Sequence, residues 1–170
     1  MKFLYLPILI LLLSCSNEKL EEPQTYADVA MQIMHETALQ LKKEKKLHAY
    51  GSGGSMLYCV EMMYLAFQVF EDYTFEQKRE LVVYALETLL KNVNDNEKIR
   101  KDLCQYPFKI ENLEIDLLSK KEKDVLSPEE ITFISVKDNI IKYYHNPPTG
   151  YGVLIHEETF EEAKKKLGQK

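Results

Sequence analysis

Gly51-Ser-Gly-Gly-Ser55, followed without a break by Met56-Leu-Tyr-Cys-Val60-Glu-Met-Met-Tyr-Leu-Ala-Phe-Gln-Val-Phe70-Glu-Asp72, carries the reading of the first half. Leu57, Cys59, Val60, Met63, Tyr64, Ala66, Phe67, Val69 and Phe70 make the second part apolar nearly all round. That pattern predicts a helix over about 56–72, placed in the middle of a bundle. The glycines before it then read as a tight helix–helix connection, where Gly permits close approach or positive φ and Ser55 serves as N-cap.

The flanking segments have clearer helical signals. Thr25-Tyr-Ala-Asp28 has capping-box character, and Ala30, Ile33, Met34, Thr37, Ala38 and Leu41 keep helical spacing behind it. The basic run Lys42–Lys46 opposes the macrodipole at that helix's end. Thr74-Phe-Glu-Gln77 is a second capping box, opening a helix whose stripe is Leu81, Val82, Ala85, Leu86, Leu89 and Leu90. Asn96 is placed to cap a short fourth helix through Ile99 and Leu103 to Cys104, ended by Tyr106-Pro107.

After Pro107 the period changes from helical to alternating. Ile110, Leu113, Ile115 and Leu117 suggest a strand, and Ser119–Glu130 a charged loop. Ile131–Val136 and Ile140–Tyr144, parted by Lys-Asp-Asn, read as a hairpin, and Val153-Leu-Ile155 as a last strand. Thr159-Phe-Glu-Glu162 opens a C-terminal helix that ends near Gly168. The expected class is α+β: about four N-terminal helices, a small, mostly antiparallel sheet and a C-terminal helix.

Chemistry-bearing patterns are few. The segment His48, Gly51, Ser52, Gly53, Gly54, Ser55 could cradle an anion or small ligand if a helix follows it. It lacks the Gly-Lys-Ser/Thr of a phosphate-binding loop, the strand that precedes a dinucleotide fingerprint, and the Gly-x-Ser-x-Gly of a nucleophile elbow. A tight structural connection is the plainer reading. His35-Glu36 begins like a zinc-protease motif, but Leu39 stands where the second ligand belongs. His48 with Ser52 or Ser55 has no acid or oxyanion pattern beside it. His145 and His156 fall at strand ends, where solvation is expected. No catalytic residue, metal ligand or cofactor is assigned. Tyr143, Tyr144 and Tyr151 surround a double proline, an aromatic loop suited to packing or to partner contact. Lys120–Asp124 reads as a solvated run.

The N-terminus stands apart from the fold. Lys2 is a minimal positive region and Phe3–Leu13 an apolar run, too short for the about 20 residues that span a bilayer and fitting a secretory signal. It closes on Leu12-Leu13-Ser14-Cys15, which resembles the lipobox of bacterial lipoproteins. The resemblance implies cleavage before Cys15, a thioether link from its sulfur to diacylglycerol and three palmitate-class chains in all, enough for stable anchoring. Residues 16–24 read as a polar tether, and Ser16 after the cysteine resembles an outer-membrane address of enterobacterial lipoproteins. The organisation is therefore a signal at 1–14, a lipidated tether at 15–24 and one domain at 25–170. Gly51–Met56 (GSGGSM) and Asn96–Phe108 (NEKIRKDLCQYPF) also resemble uncharacterised lipoproteins of chlamydia-like bacteria, which implies envelope placement and no particular activity.

With Cys15 assigned to lipid, Cys59 and Cys104 remain. In an exported protein an even pair invites a disulfide, although Cys59 in so apolar a stretch is equally an ordinary small hydrophobe. Composition supports a folded domain: 45% hydrophobic and 29% charged, with a formal charge of −5 that argues against nucleic acid. The expected partners are the membrane, through the N-terminal lipid, and an envelope protein. The function expected is non-catalytic binding or structural support, with a ligand-binding or hydrolytic site at 48–55 as the alternative.

Overall fold

The computed structural model describes residues 25–119, 130–145 and 152–168. Cys15 and the signal, the run Lys120–Asp124, the double proline and Tyr151 lie outside the described residues. Three helices, α1 (Tyr26–Lys45), α2 (Phe75–Asp95) and α3 (Phe160–Gly168), accompany six strands: β1 (His48–Ser55), β2 (Met62–Val69), β3 (Leu113–Ser119), β4 (Phe133–Lys137), β5 (Ile140–His145) and β6 (Val153–Thr159).

The helices begin where the caps predict. Thr25 and Asp28, Thr74 and Gln77, and Thr159 and Glu162 each exchange side-chain and backbone hydrogen bonds of 2.8 and 3.2 Å. These bonds satisfy N–H groups that the first helical turn leaves without partners. Lys46 ends α1 in the left-handed region at φ 56°, and its N–H donates to Leu41 and Lys42 carbonyls. The predicted hairpin is also present. Asp138 and Asn139 take φ of 50° and 65°, the positive pair that a two-residue turn between twisted strands requires.

The first half differs from expectation. Gly51–Ser55 belongs to a strand, and 56–72 contains a hairpin loop and β2, so there is no four-helix bundle. The sheet runs β1-β2-β3-β4-β5-β6, antiparallel throughout except for β2 beside β3, which are joined through the crossover helix α2. In β2 the buried Met63, Leu65, Phe67 and Val69 alternate with Tyr64, Ala66 and Gln68 on the opposite face. A central strand with Tyr and Ala even on its second face reads as a continuous apolar run, which periodicity does not separate from a buried helix.

The expected fourth helix is likewise reduced. Asn96 Oδ1 accepts from the Lys98 and Ile99 amides, but only a single 3-10 turn, Arg100–Asp102, follows. Backbone groups that a longer helix would use are taken by Val60: its N–H donates to the Asp102 carbonyl at 2.8 Å, and its carbonyl accepts from Cys104 at 3.0 Å. The core lies between the helices and one face of the sheet. Ile33, Met34 and Leu41 of α1 and Leu86 and Leu89 of α2 join the inward residues of β2, β3 and β5 in one buried cluster.

Candidate functional site

Strand β1 ends the sheet, so among the described residues its backbone is paired on one side only. Its sequence, HAYGSGGS, contains no Lys, Arg, Asp, Glu or Pro, the residues that commonly protect a sheet edge from further pairing. The register sets Ala49, Ser52 and Gly54 opposite the inward residues Phe67, Leu65 and Met63, with Gly51 and Gly53 opposite Ala66 and Tyr64 on the other face. Tyr50 is the extra residue of a β-bulge and is exposed.

Beside this edge, α1 and β1 enclose a cleft of about 290 Å³. Met31, Met34 and Ala38 form its helical wall, Ala49–Ser52 the strand wall and Leu65 part of its floor, while His35 supplies the imidazole. The cleft is mostly apolar with a few polar groups, the usual character of a binding depression. The structure thus brings His35 to Gly51 and Ser52 but takes His48, and the nearby Lys46, elsewhere. His48 packs edge-on against Phe70 with ring centroids 5.2 Å apart, and Lys46 pairs with Glu71 at 3.1 Å.

The expected anion cradle loses its basis, because Ser55 leads into the hairpin loop and no helix N-terminus follows. The glycines have separate roles. A Cβ on Gly54 would lie 2.4 Å from the Met62 carbonyl oxygen and 2.5 Å from Met56 Cε, so only Gly fits without a shift. A Cβ on Gly53 would meet only Tyr64 Cδ1, at 4.0 Å. Tyr64 donates to Asp116 Oδ2 at 2.8 Å, and burial followed by this bond raises its phenol above the ordinary range.

The cysteine alternatives resolve to a bond. Cys59 and Cys104 are joined, with Cα atoms 5.1 Å apart, next to the Val60–Leu103 bridge. The bond ties the β1–β2 loop to the segment after α2. Cys59 is therefore not a free core thiol.

A second polar group of residues has no counterpart among the expectations. Glu158, its side chain 1% exposed, accepts from Arg79 Nε at 2.6 Å, Tyr143 Oη at 2.7 Å and Lys166 Nζ at 2.6 Å. Burial alone would raise its carboxyl, but the bonds from Arg79, Lys166 and Tyr143 outweigh that and bring it down to about 2. Arg79 also lies over the Phe75 ring at 4.4 Å. The cluster joins α2, β5, β6 and α3, so it fastens the C-terminal helix to the rest. One signal of it exists in the sequence: Arg79 stands three residues before Val82 and seven before Leu86, on the buried stripe.

Two histidine expectations change with it. His145 is buried, its Nδ1 2.9 Å from the Glu130 carbonyl oxygen, and His156 packs against Phe75 and Tyr143 with Nε2 3.5 Å from Glu158 Oε2. Neither is a freely solvated side chain. Tyr143 is fully buried and cannot serve in an aromatic contact loop, whereas Tyr144 is half-buried.

Between α1 and α2 lies a further, more polar depression lined by Glu36, Gln40, Lys91, Asn92 and Asp95. Asn92 donates there to Thr37 Oγ1 and Gln40 Oε1, as expected of a helix–helix seam. No protein-family model, curated protein or solved structure matches this chain.

Proposed function

We propose that this chain is an envelope lipoprotein, acylated at Cys15, that binds an extended segment of a partner protein along β1 without catalysing a reaction. The observation that carries the binding part is the glycine-rich edge of β1, free of Lys, Arg, Asp, Glu and Pro, beside the α1 cleft. An added strand takes its affinity from main-chain hydrogen bonds and its specificity from side chains placed in adjoining pockets. Glycine and alanine allow close approach, while exposed Met31 offers an apolar contact at the cleft wall. The Cys59–Cys104 bond supports the envelope placement, since disulfides persist in oxidising compartments.

The alternative, a small ligand held at 48–55, draws on the same cleft through His35 and Ser52. A photocrosslinking amino acid at exposed Tyr50, used in intact cells, separates the readings. Strand addition predicts a discrete protein adduct that disappears with Ser52→Lys, which puts a charge on the edge, and persists with Lys142→Glu on a strand remote from it. No adduct, or one indifferent to Ser52→Lys, would contradict strand addition. Labelling with a clickable fatty acid tests the anchor, and the label is expected to vanish in Cys15→Ser.

A further inference from the structure

The two most exposed large apolar side chains among the described residues are neighbours: Leu57 at 76% and Tyr58 at 89%. They form the tip of the β1–β2 loop, and the structure fixes that tip on two sides. The Cys59–Cys104 bond holds it to the segment after α2. Tyr26 Oη donates to the Met56 and Leu57 carbonyls at 3.2 and 3.0 Å. Water-exposed apolar side chains on a mobile loop are ordinary, but two of them on a doubly fastened loop form a rigid projection. Little conformational freedom would be lost when such a projection is covered.

Tyr26 is the first residue of α1, so the tip stands within one tyrosine side chain of the point where the chain enters the domain. Residues 16–25, the stretch between there and Cys15, span about 36 Å at most when extended. The disulfide partner segment adds the chemistry of an interface. Tyr106 is exposed with the Arg100 guanidinium 4.9 Å from its ring centre, and Lys98, Lys101 and Lys109 are exposed nearby in sequence. Over 95–111 these four cations face four acids, Asp95, Glu97, Asp102 and Glu111, and exposed Glu61 lies in the loop itself, so this end has no net positive charge. Amphipathic aromatic rings and a leucine, held beside the point where the tether enters, are what the headgroup region of a bilayer takes up.

We infer that Leu57 and Tyr58 seat in the headgroup region of the membrane that carries the lipid anchor, giving the domain one orientation on that surface. This rests on the proposed acylation of Cys15. A tether alone would let the domain tumble, whereas the seated tip would keep the β1–β2 end towards the membrane.

The chain contains no Trp, so one introduced indole reports on its own position. The test uses the acylated full chain carrying Tyr58→Trp, in vesicles of three parts phosphatidylethanolamine to one part phosphatidylglycerol. Phe70→Trp, exposed beyond the far end of β2, is the comparison. Seating predicts that emission from the Tyr58→Trp variant moves to shorter wavelength. A spin label on the lipid chains should also quench it several-fold more than it quenches the Phe70→Trp variant. Vesicle-bound, acylated Tyr58→Trp protein with unshifted and unquenched emission would overturn the inference and leave the anchor standing. A shift without lipid-borne quenching would mean that protein, not lipid, covers the tip, and would also overturn it. Chain that lacks acyl mass and fails to float with the vesicles would remove the anchor reading and this inference together.

Discussion

The two edges of the sheet are built on opposite principles. At one, β1 is short of side chains and free of charge, and it is secured from outside through the disulfide and the Tyr26 hydrogen bonds at its hairpin tip. At the other, β6 exposes Val153, Leu154 and Ile155, yet its end is secured from inside by the buried Glu158 with Arg79, Tyr143 and Lys166. Both edge strands pair across a bulge, but β6 also carries Glu157 and Glu158, charges that discourage further pairing and that β1 lacks. One edge is guarded and the other is bare. The bare edge is the one bordered by a cleft, which is why partner binding is proposed there.

The strongest way to break this contrast is to remove the internal fastening. Glu158→Gln leaves Arg79 buried without its counter-charge, and the expected loss is about 3–5 kcal/mol in urea unfolding at neutral pH. Reducing the external fastening should cost a similar or smaller amount. Cys59→Ser with Cys104→Ser opens a link across a sequence separation of 45 residues, for an expected loss of about 4 kcal/mol on chain-entropy grounds. If the double serine variant unfolds at the same urea concentration as the parent, the bond does not secure the hairpin.

Acid sharpens the comparison. The Glu158 carboxyl lies near 2 in the folded chain against an ordinary 4.5, so the unfolded chain takes up its proton first. Its contribution, about 3 kcal/mol from that shift, is fully present above pH 4.5 and is lost as pH falls towards 2. The stability difference between parent and Glu158→Gln should therefore narrow between pH 5 and pH 3, measured by urea titration at each pH. A difference that stays constant would mean that the carboxylate's charge is not what the cluster uses.

The smallest effects separate the glycines. Gly54→Val must displace Met56 or the β2 backbone and is expected to cost about 1–3 kcal/mol. Gly53→Val meets only ordinary contact and should change stability by less than about 0.5 kcal/mol. Thermal melting of both variants checks the pair, and equal losses would contradict the assigned packing.

The parts of this architecture legible in the sequence are those with local chemistry. Thr25-Asp28, Thr74-Gln77 and Thr159-Glu162 announce three helices because a cap is made within four residues. The Asp138-Asn139 turn announces its hairpin for the same reason. The first half is not legible, because β1 is a strand by tertiary pairing and against the preference of its glycines. Strand β2 hides its alternation behind apolar residues on both faces. At the candidate site, Gly51 and Ser52 stand out in the sequence as a loop that the fold does not form, and His35 joins them only because α1 packs across the edge. The tip at Leu57 and Tyr58 carries no sequence signal at all, since exposure is a property of the fold and not of the residue.

The central claim is a disulfide-bonded domain fixed to a membrane by its own N-terminus. The intact mass of the chain recovered from membranes, taken before and after reduction, tests it most directly. The account predicts a chain beginning at Cys15 and heavier by its acyl groups, which gains two hydrogens when the Cys59–Cys104 bond is reduced. An unacylated chain still beginning at Met1, or one whose mass does not change on reduction, would contradict it.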